Sequence, residues 1–233
     1  MEPKKEEGMQ CCKGFKCMGP PPMFPHPPRP IVMPRKKAPL CELFKATAVL
    51  NEKFITLKKE DYEGKYLVIL FYPLDFTYVC PTELIAFSDS VENFKNIGAE
   101  VIGISTDSQF THLAWLKTPR VDGGVSKLNF PLVSDFSKNI SRDFNVLVED
   151  PKDKMYGAAL RGLFIIDGKG IIRSMLVNDD AVGRNVEETL RLIQAFKHSD
   201  EYGDVCPSNW KPGKKTIIPD QDKKKEFFNQ EFK

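Results

Sequence analysis

Two hydrophobic rhythms alternate along this chain. Tyr66 to Tyr72 is an unbroken apolar run halted by Pro73, the pattern of a central strand covered on both faces. From Pro81 the period changes. Leu84, Phe87, Val91 and Phe94 recur at spacings of 3, 4 and 3, with Gly98 beyond them, which predicts one amphipathic helix closed by glycine. Val101 to Ile104 reads as a second strand and Phe110 to Leu116 as a second helix. Leu163–Ile166 and Ile171–Met175 flank Asp167-Gly168 and read as two strands joined by a tight turn. Asn185 with Glu188 three residues on has the form of a capping box, opening a helix that carries Val186, Leu190 and Ile193. Strand and helix alternate with a hairpin late in the order. That predicts an α/β sandwich built on a mixed sheet.

The two ends follow neither rhythm. Ten of the 18 prolines fall between Pro3 and Pro39, so residues 1–40 are expected to form an extended or disordered arm. They lack the apolar stretch of a secretory signal, and Glu2, Glu6 and Glu7 are foreign to a mitochondrial presequence. A cytoplasmic location is the expectation. Residues 41–200 then form the globular domain and 201–233 a second arm, where Trp210-Lys211-Pro212-Gly213 leads into a Lys-rich tail.

Composition narrows the function classes. A 41% hydrophobic, 28% charged chain of 233 residues can bury a core. A formal charge of +2 gives no electrostatic case for nucleic acid or a membrane surface as partner. No apolar run approaches the roughly 18–20 residues of a membrane span. The six cysteines (11, 12, 17, 41, 80 and 206) are too scattered for a disulfide scaffold. With only three histidines and no paired Cys-x-x-Cys knuckles, neither a metal site nor a cofactor is expected.

One cysteine stands apart. Cys80 follows the apolar strand and immediately precedes Pro81, a residue favoured at the first helical position. The thiol would face free backbone N–H groups and the positive end of the helix dipole, which favour a thiolate. Position alone leaves two readings open: a reactive thiol, or a core cysteine packed beneath the helix.

The wider segment, Pro73-Leu74-Asp75-Phe76-Thr77-Tyr78-Val79-Cys80-Pro81-Thr82-Glu83, resembles the active-site segment of the typical two-cysteine peroxiredoxins. The likeness continues through Ala86-Phe87-Ser88-Asp89, His112-Leu113-Ala114-Trp115, Arg161 to Asp167, Val182-Gly183-Arg184 and Val205-Cys206-Pro207. It runs from about Cys41 to the C-terminus. It implies a thioredoxin-like sandwich and a peroxidase acting on hydrogen peroxide and organic hydroperoxides, recycled by a thioredoxin-type reductant. Under it Cys80 is the peroxidatic nucleophile, passing through a sulfenic acid, and Cys206 is the resolving cysteine. Thr77 hydrogen-bonds thiol or peroxide, Arg161 aligns thiolate and peroxide, Pro73 shields the pocket and Glu83 orients the arginine. The same resemblance implies a homodimer joined by Cys80–Cys206 disulfides between subunits, with a decameric ring as a larger form. Taken singly, Thr77 is equally a turn hydroxyl, Glu83 a first-turn carboxylate and Arg161 a surface charge. His112 and Trp115 read as packing residues.

Two departures stand out. Asp122-Gly123-Gly124-Val125-Ser126 occupies the place of the Gly-Gly-Leu-Gly of overoxidation-sensitive members, and Phe227-Phe228 that of their Tyr-Phe. Both imply resistance to overoxidation. The stretch from Glu149 to Gly157 reads as an exposed charged loop without assigned function. A chaperone or signalling adaptor on the same fold is a rival reading, against which stands the retention of Thr77, Cys80, Arg161 and Cys206. A thioredoxin-type disulfide oxidoreductase would need a Cys-x-x-Cys after the first strand, and Val79-Cys80-Pro81 offers none.

Overall fold

The computed structural model describes residues 31–232. Cys11, Cys12 and Cys17 and most of the proline-rich stretch lie outside the described residues. In chain order the elements are β1 (Thr47–Leu50), β2 (Lys53–Thr56), β3 (Tyr66–Phe71), α1 (Cys80–Asp89), α2 (Val91–Asn96), β4 (Ala99–Ser105) and α3 (Gln109–Lys117). They continue with β5 (Leu132–Ser134), α4 (Asn139–Asp143), β6 (Arg161–Ile166), β7 (Ile172–Asn178), α5 (Val186–Tyr202) and α6 (Lys224–Glu231).

The strands form one sheet of seven, in the order β2-β1-β5-β4-β3-β6-β7. β3 pairs in parallel with β4, and β4 with β5, while the other pairings are antiparallel. The expected α/β sandwich on a mixed sheet is the observed one. β3 lies inside the sheet and every residue of it is buried, because its side chains alternate between two cores. Val68, Leu70 and Tyr72 face Leu84, Phe87, Phe94, Trp115 and Ile193. Leu67, Ile69 and Phe71 face the opposite cluster with Ile140, Phe144 and Phe164. Helices α1, α2, α3 and α5 thus share one face of the sheet, and α4 takes the other.

Three local features differ from the sequence pattern. The helix expected to run unbroken from Pro81 is two segments, hinged at Ser90 (φ −101°, ψ 6°). All four stripe residues are nonetheless buried. The capping box is half formed. Asn185 Oδ1 accepts from Glu188 N at 2.8 Å, but the Glu188 carboxylate turns to Arg191. The short β1, β2, β5 and α4 carry too few residues to show a period.

At the sheet edge, Arg35 N donates to Ile172 O at 2.8 Å and Ala38 N to Gly170 O at 2.9 Å. These bonds cover only the start of β7. Among the described residues nothing pairs with the outer edge of the rest of that strand, and Met175, Leu176 and Val177 on it are exposed.

Candidate active site

Sheet order builds the site. β3 and β6 are antiparallel neighbours with Leu70 opposite Leu163. The chain leaving β3 therefore passes the first residue of β6, which is Arg161. The 81 positions between Cys80 and Arg161 are closed by that pairing, and Arg161 Nη1 donates to Cys80 Sγ at 3.3 Å. Cys80 is the first residue of α1, with Pro81 next, and is fully buried.

The guanidinium is fixed from three sides. Its Nε donates to Asp180 O at 2.8 Å, and Nη1 also donates to Glu83 Oε2 at 2.7 Å. Glu83 lies one turn along α1 from Cys80, so a single helix supplies both the sulfur and the carboxylate that aims the arginine. Arg161 and Glu83 are each 3% exposed. In such a setting a charged pair requires full hydrogen bonding to be tolerated.

The sequence assigned no part to Arg184, which completes the constellation. Its Nε and backbone N both donate to Glu83 Oε1, at 2.7 and 2.9 Å, and its Nη2 to Oε2 at 3.0 Å. Nη1 reaches Phe71 O and Gly162 O at 2.6 and 2.7 Å, tying α1 to both central strands. The close approach depends on Gly183, where a Cβ would come within 3.3 Å of Glu83 and Val79. The signal lay in Val182-Gly183-Arg184: a glycine beside an arginine, outside any periodic pattern.

Thr77, half-buried, donates its hydroxyl hydrogen to Leu74 O at 2.8 Å. Its oxygen lone pairs stay available, so in this arrangement it can accept a hydrogen bond from a peroxide but has no proton left to give. Pro73 is buried at the start of the same loop. Asp75 anchors the loop from below. His112 Nδ1 lies 2.7 Å from Asp75 Oδ2, Tyr72 donates to Oδ1 at 2.8 Å, and Asp75 N donates to Asp107 Oδ2 at 2.9 Å. Burial pushes the Asp75 carboxyl above its ordinary range, opposed by the hydrogen bond and charge of His112. His112 therefore packs as expected and also pins the loop. Trp115 is fully buried and donates to Gly123 O at 2.9 Å.

Cys206 is not part of this cluster. It is half-exposed, its Sγ 3.6 Å from Ala195 O. Burial pushes its thiol up, with Arg191 pulling the other way. Cys41, Cys80 and Cys206 are all free thiols. Among the described residues no group of histidine, cysteine and carboxylates could hold a metal ion.

A free thiol at a helix start, aimed at by an arginine and buried within an α/β sandwich, defines a thiol-dependent redox enzyme rather than a binding module. Comparison with known proteins gives the family. The model of the AhpC/TSA family matches residues 34–175, and that of the C-terminal domain of 1-Cys peroxiredoxin matches 195–230. Peroxiredoxin-2 of Macaca fascicularis is 56% identical over 187 residues, covering 80% of this chain and 92% of that one. Peroxiredoxin 2 of Drosophila melanogaster is 56% identical over 196 residues, covering 84% and 98%. Among solved structures, the reduced 2-Cys peroxiredoxin of Plasmodium vivax superposes with a TM-score of 0.74 at 41% identity, covering 79% of this chain and 93% of that one. The mitochondrial 2-Cys peroxiredoxin of Plasmodium falciparum does so at 0.67 and 44%, covering 75% and 100%.

This chain belongs to the AhpC/TSA family: it is a peroxiredoxin, a thioredoxin-like thiol peroxidase. Membership does not assign a compartment, since the Plasmodium falciparum relative is mitochondrial. Among the described residues no helix is long and apolar enough to cross a membrane.

Proposed function

We propose that Cys80 is the peroxidatic nucleophile and Cys206 of a second copy its resolving partner. The observation that carries this reading is the single Arg161 nitrogen shared between Cys80 Sγ at 3.3 Å and Glu83 Oε2 at 2.7 Å. In the reaction the Cys80 thiolate attacks one peroxide oxygen. An S–O bond forms as the O–O bond breaks, the sulfur gives up two electrons, and the departing hydroxide or alkoxide takes a proton. Water or alcohol leaves, with Cys80 as a sulfenic acid.

Thiolate formation alone is a small part of the rate. A thiol of pKa about 8.5 is roughly 3% ionised at pH 7, and lowering its pKa costs intrinsic nucleophilicity, so full ionisation gains only a few-fold. The larger contribution comes from donors placed where charge develops on the breaking O–O bond. Arg161 supplies them, and Thr77 holds the peroxide by accepting its hydrogen. Pro73 keeps water from the loop, and Glu83 and Arg184 hold the guanidinium in place.

The sulfenic acid is then attacked by a Cys206 thiolate, releasing water and leaving a disulfide. Cys80 is fully buried, so a second protein thiol reaches it only when the first turn of α1 unwinds. Cys206, half-exposed at the start of the C-terminal arm, suits a reach across a two-fold axis. The open edge of β7, with its exposed Met175, Leu176 and Val177, is the place for a second copy to pair. The family supports dimers and decameric rings. A thioredoxin-type dithiol completes the cycle by reducing the disulfide.

Non-reducing electrophoresis after one equivalent of hydrogen peroxide tests this. Wild type should run as a covalent dimer, Cys80→Ser should stay monomeric, and Cys206→Ser should accumulate sulfenic acid. Peptide mapping that finds only an intrachain bridge would overturn the pairing, and an unimpaired Cys80→Ser would overturn the nucleophile.

A further inference from the structure

A cavity of about 830 Å³ opens at the end of the sheet opposite the Cys80 site. β3 runs toward the Cys80 loop, and Leu67 near its start pairs with Ile166 at the end of β6. Both of these residues line the cavity. Phe71, where the strand hands over to the active-site loop, lies four positions further on, roughly 13 Å along the strand. No residue of the Cys80 cluster and none of β7 takes part in the lining.

Three segments wall the cavity: residues 37–45, residues 59–65 and the turn between β6 and β7. Backbone contacts fix them to one another. Ala38 N donates to Gly170 O at 2.9 Å, and Asp167 Oδ1 closes the turn by accepting from Lys169 N and Ile171 N at 2.9 and 3.0 Å. A Cβ on Gly168 would fall 2.6 Å from the Gly64 backbone, so the turn and the 59–65 segment meet main chain to main chain. The cavity is therefore preformed.

Its lining has two characters. Phe44 and Tyr62, with ring centroids 5.9 Å apart, join Ala38, Leu40, Leu67 and Ile166 in an apolar floor. Five lysines also line it, against two acids, Glu63 and Asp167. Three of the lysines are matched: Lys45 by Glu42 at 2.9 Å, Lys59 by Glu63 at 3.5 Å and Lys65 by Glu100 at 3.0 Å. Asp167 is taken by its two backbone donors and by Arg173 at 3.5 Å. Lys37 and Lys169 have no ion-pair partner among the described residues. They belong to the two segments joined by the Ala38–Gly170 bond, so the unmatched positive charge collects at one end of the cavity. Two free ammonium groups at the end of an apolar floor are complementary to an anionic head on an apolar chain.

We propose that this cavity binds a single-chain anionic amphiphile of the long-chain carboxylate type, as a ligand and not as a substrate. Lys37 and Lys169 receive the carboxylate, and the chain lies over Phe44 and Tyr62. The proposal does not depend on the roles given to Cys80 and Cys206.

Isothermal titration of the full-length reduced protein tests it, with every probe kept below its micelle concentration. Laurate should bind at one site per chain. Octanoate, four methylenes shorter, should bind at least tenfold more weakly, since each buried methylene is worth roughly fourfold. Lys37→Ala with Lys169→Ala should weaken laurate by roughly three- to tenfold, the scale of two exposed charge contacts. The same change should leave 1-dodecanol within about twofold, and Lys37→Arg with Lys169→Arg should restore laurate. Cys41 is an exposed free thiol in the lining, so bound laurate should slow its alkylation by iodoacetamide, followed by peptide mass spectrometry. Laurate binding unaffected by the alanine changes would overturn the proposal, as would inorganic phosphate binding as tightly as laurate. An unchanged Cys41 rate would place the ligand elsewhere and overturn it too. No laurate binding, with Cys41 protected only as protein concentration rises, would give the cavity to a second copy instead. Hydrogen peroxide turnover, expected within about twofold of wild type in the lysine variants, decides the Cys80 reading separately.

Discussion

Around Cys80 every charged neighbour is buried and committed: Arg161 to the sulfur, Glu83 and Asp180, and Arg184 to Glu83 and two strand carbonyls. Around Cys206 the sulfur meets one carbonyl at 3.6 Å, a single bridge joins Val205 to Ile217, and α6 buries none of its residues. Under the proposed mechanism both segments serve one catalytic cycle, yet they are built oppositely. The first is preorganised, so that donors meet the peroxide without rearranging. The second has few attachments, so that it can leave its position cheaply. Trp210 anchors the arm just beyond Cys206: it is 3% exposed, its carbonyl accepts from Arg191 at 3.0 Å, and its ring N–H donates to Lys214 O at 3.0 Å.

The largest contrast is expected from the donors themselves. Arg161→Ala should slow sulfenic acid formation by about 10²–10³, the cost of removing one preorganised donor. Arg161→Lys should recover little, because an ammonium cannot bond Cys80, Glu83 and Asp180 in one plane. Cys206→Ser should leave that first step within about twofold. Stopped-flow fluorescence of the reduced protein mixed with peroxide reads both, and comparable losses in the two variants would erase the distinction.

Stability should divide the same way. Glu83→Ala strands two buried guanidinium groups and is expected to cost about 3–5 kcal/mol. Cys206→Ser, half-exposed and lightly bonded, should lie within about 0.5 kcal/mol of wild type. Urea unfolding of the reduced proteins measures each. A Glu83→Ala midpoint near that of wild type would mean that Arg161 and Arg184 find other partners.

These expectations also mark what the chain disclosed before folding. The strand Tyr66–Tyr72, the apolar stripe of the first helix pair and Cys80 before Pro81 were legible, because each depends on local period or on one adjacent residue. Arg161 could be placed only through resemblance. Nothing near it in sequence says that β6 lies antiparallel beside β3. Arg184 and the Asp75–His112 contact stayed hidden for the same reason: their partners are 101 and 37 positions away. The break at Ser90 was masked because the stripe carries on across it. Lys37 and Lys169 come to one cavity only in the folded chain.

A smaller effect should appear in the pH dependence of Cys206. Burial pushes the Cys206 thiol up, so at a given pH below its pKa less thiolate is present in the folded protein than in the unfolded chain. Stability from the neutral thiol is fully present below the unfolded pKa and is lost as pH rises through the folded one. Alkylation of Cys206 by iodoacetamide should climb about tenfold per pH unit toward a midpoint that is higher in the native than in the urea-unfolded protein. Identical midpoints would mean that the Ala195 neighbourhood does not desolvate the sulfur.

The smallest expected effect concerns how long the Cys80 site stays folded. In the proposed cycle its sulfenic acid is either captured by Cys206 or oxidised again to the sulfinic acid. Capture needs α1 to unwind and the arm to move, so whatever holds the folded arrangement favours the second fate. Ser126 stands where sensitive members carry glycine and keeps a left-handed backbone, φ 51°, with its N–H on Thr118 O at 3.1 Å. A serine sits there under strain of about 1 kcal/mol that glycine would not feel. Gly124 beside it has no such latitude, since a Cβ would fall 2.0 Å from Thr118 O. The loop therefore keeps its shape while being easier to open. Phe227 is half-buried on α6 and contacts Phe228 edge-on at 5.8 Å, with no hydroxyl to bond onward. One hydrogen bond is worth about 1 kcal/mol, or roughly fivefold in an opening equilibrium. Ser126→Gly with Phe227→Tyr should thus raise the sulfinic fraction of Cys80 about fivefold at a given peroxide dose during turnover, read by mass spectrometry. The single Ser126→Gly change should account for part of that rise. If the double variant and wild type give the same dose curve, neither position controls the opening of α1, and the looseness that favours capture must lie wholly in the arm.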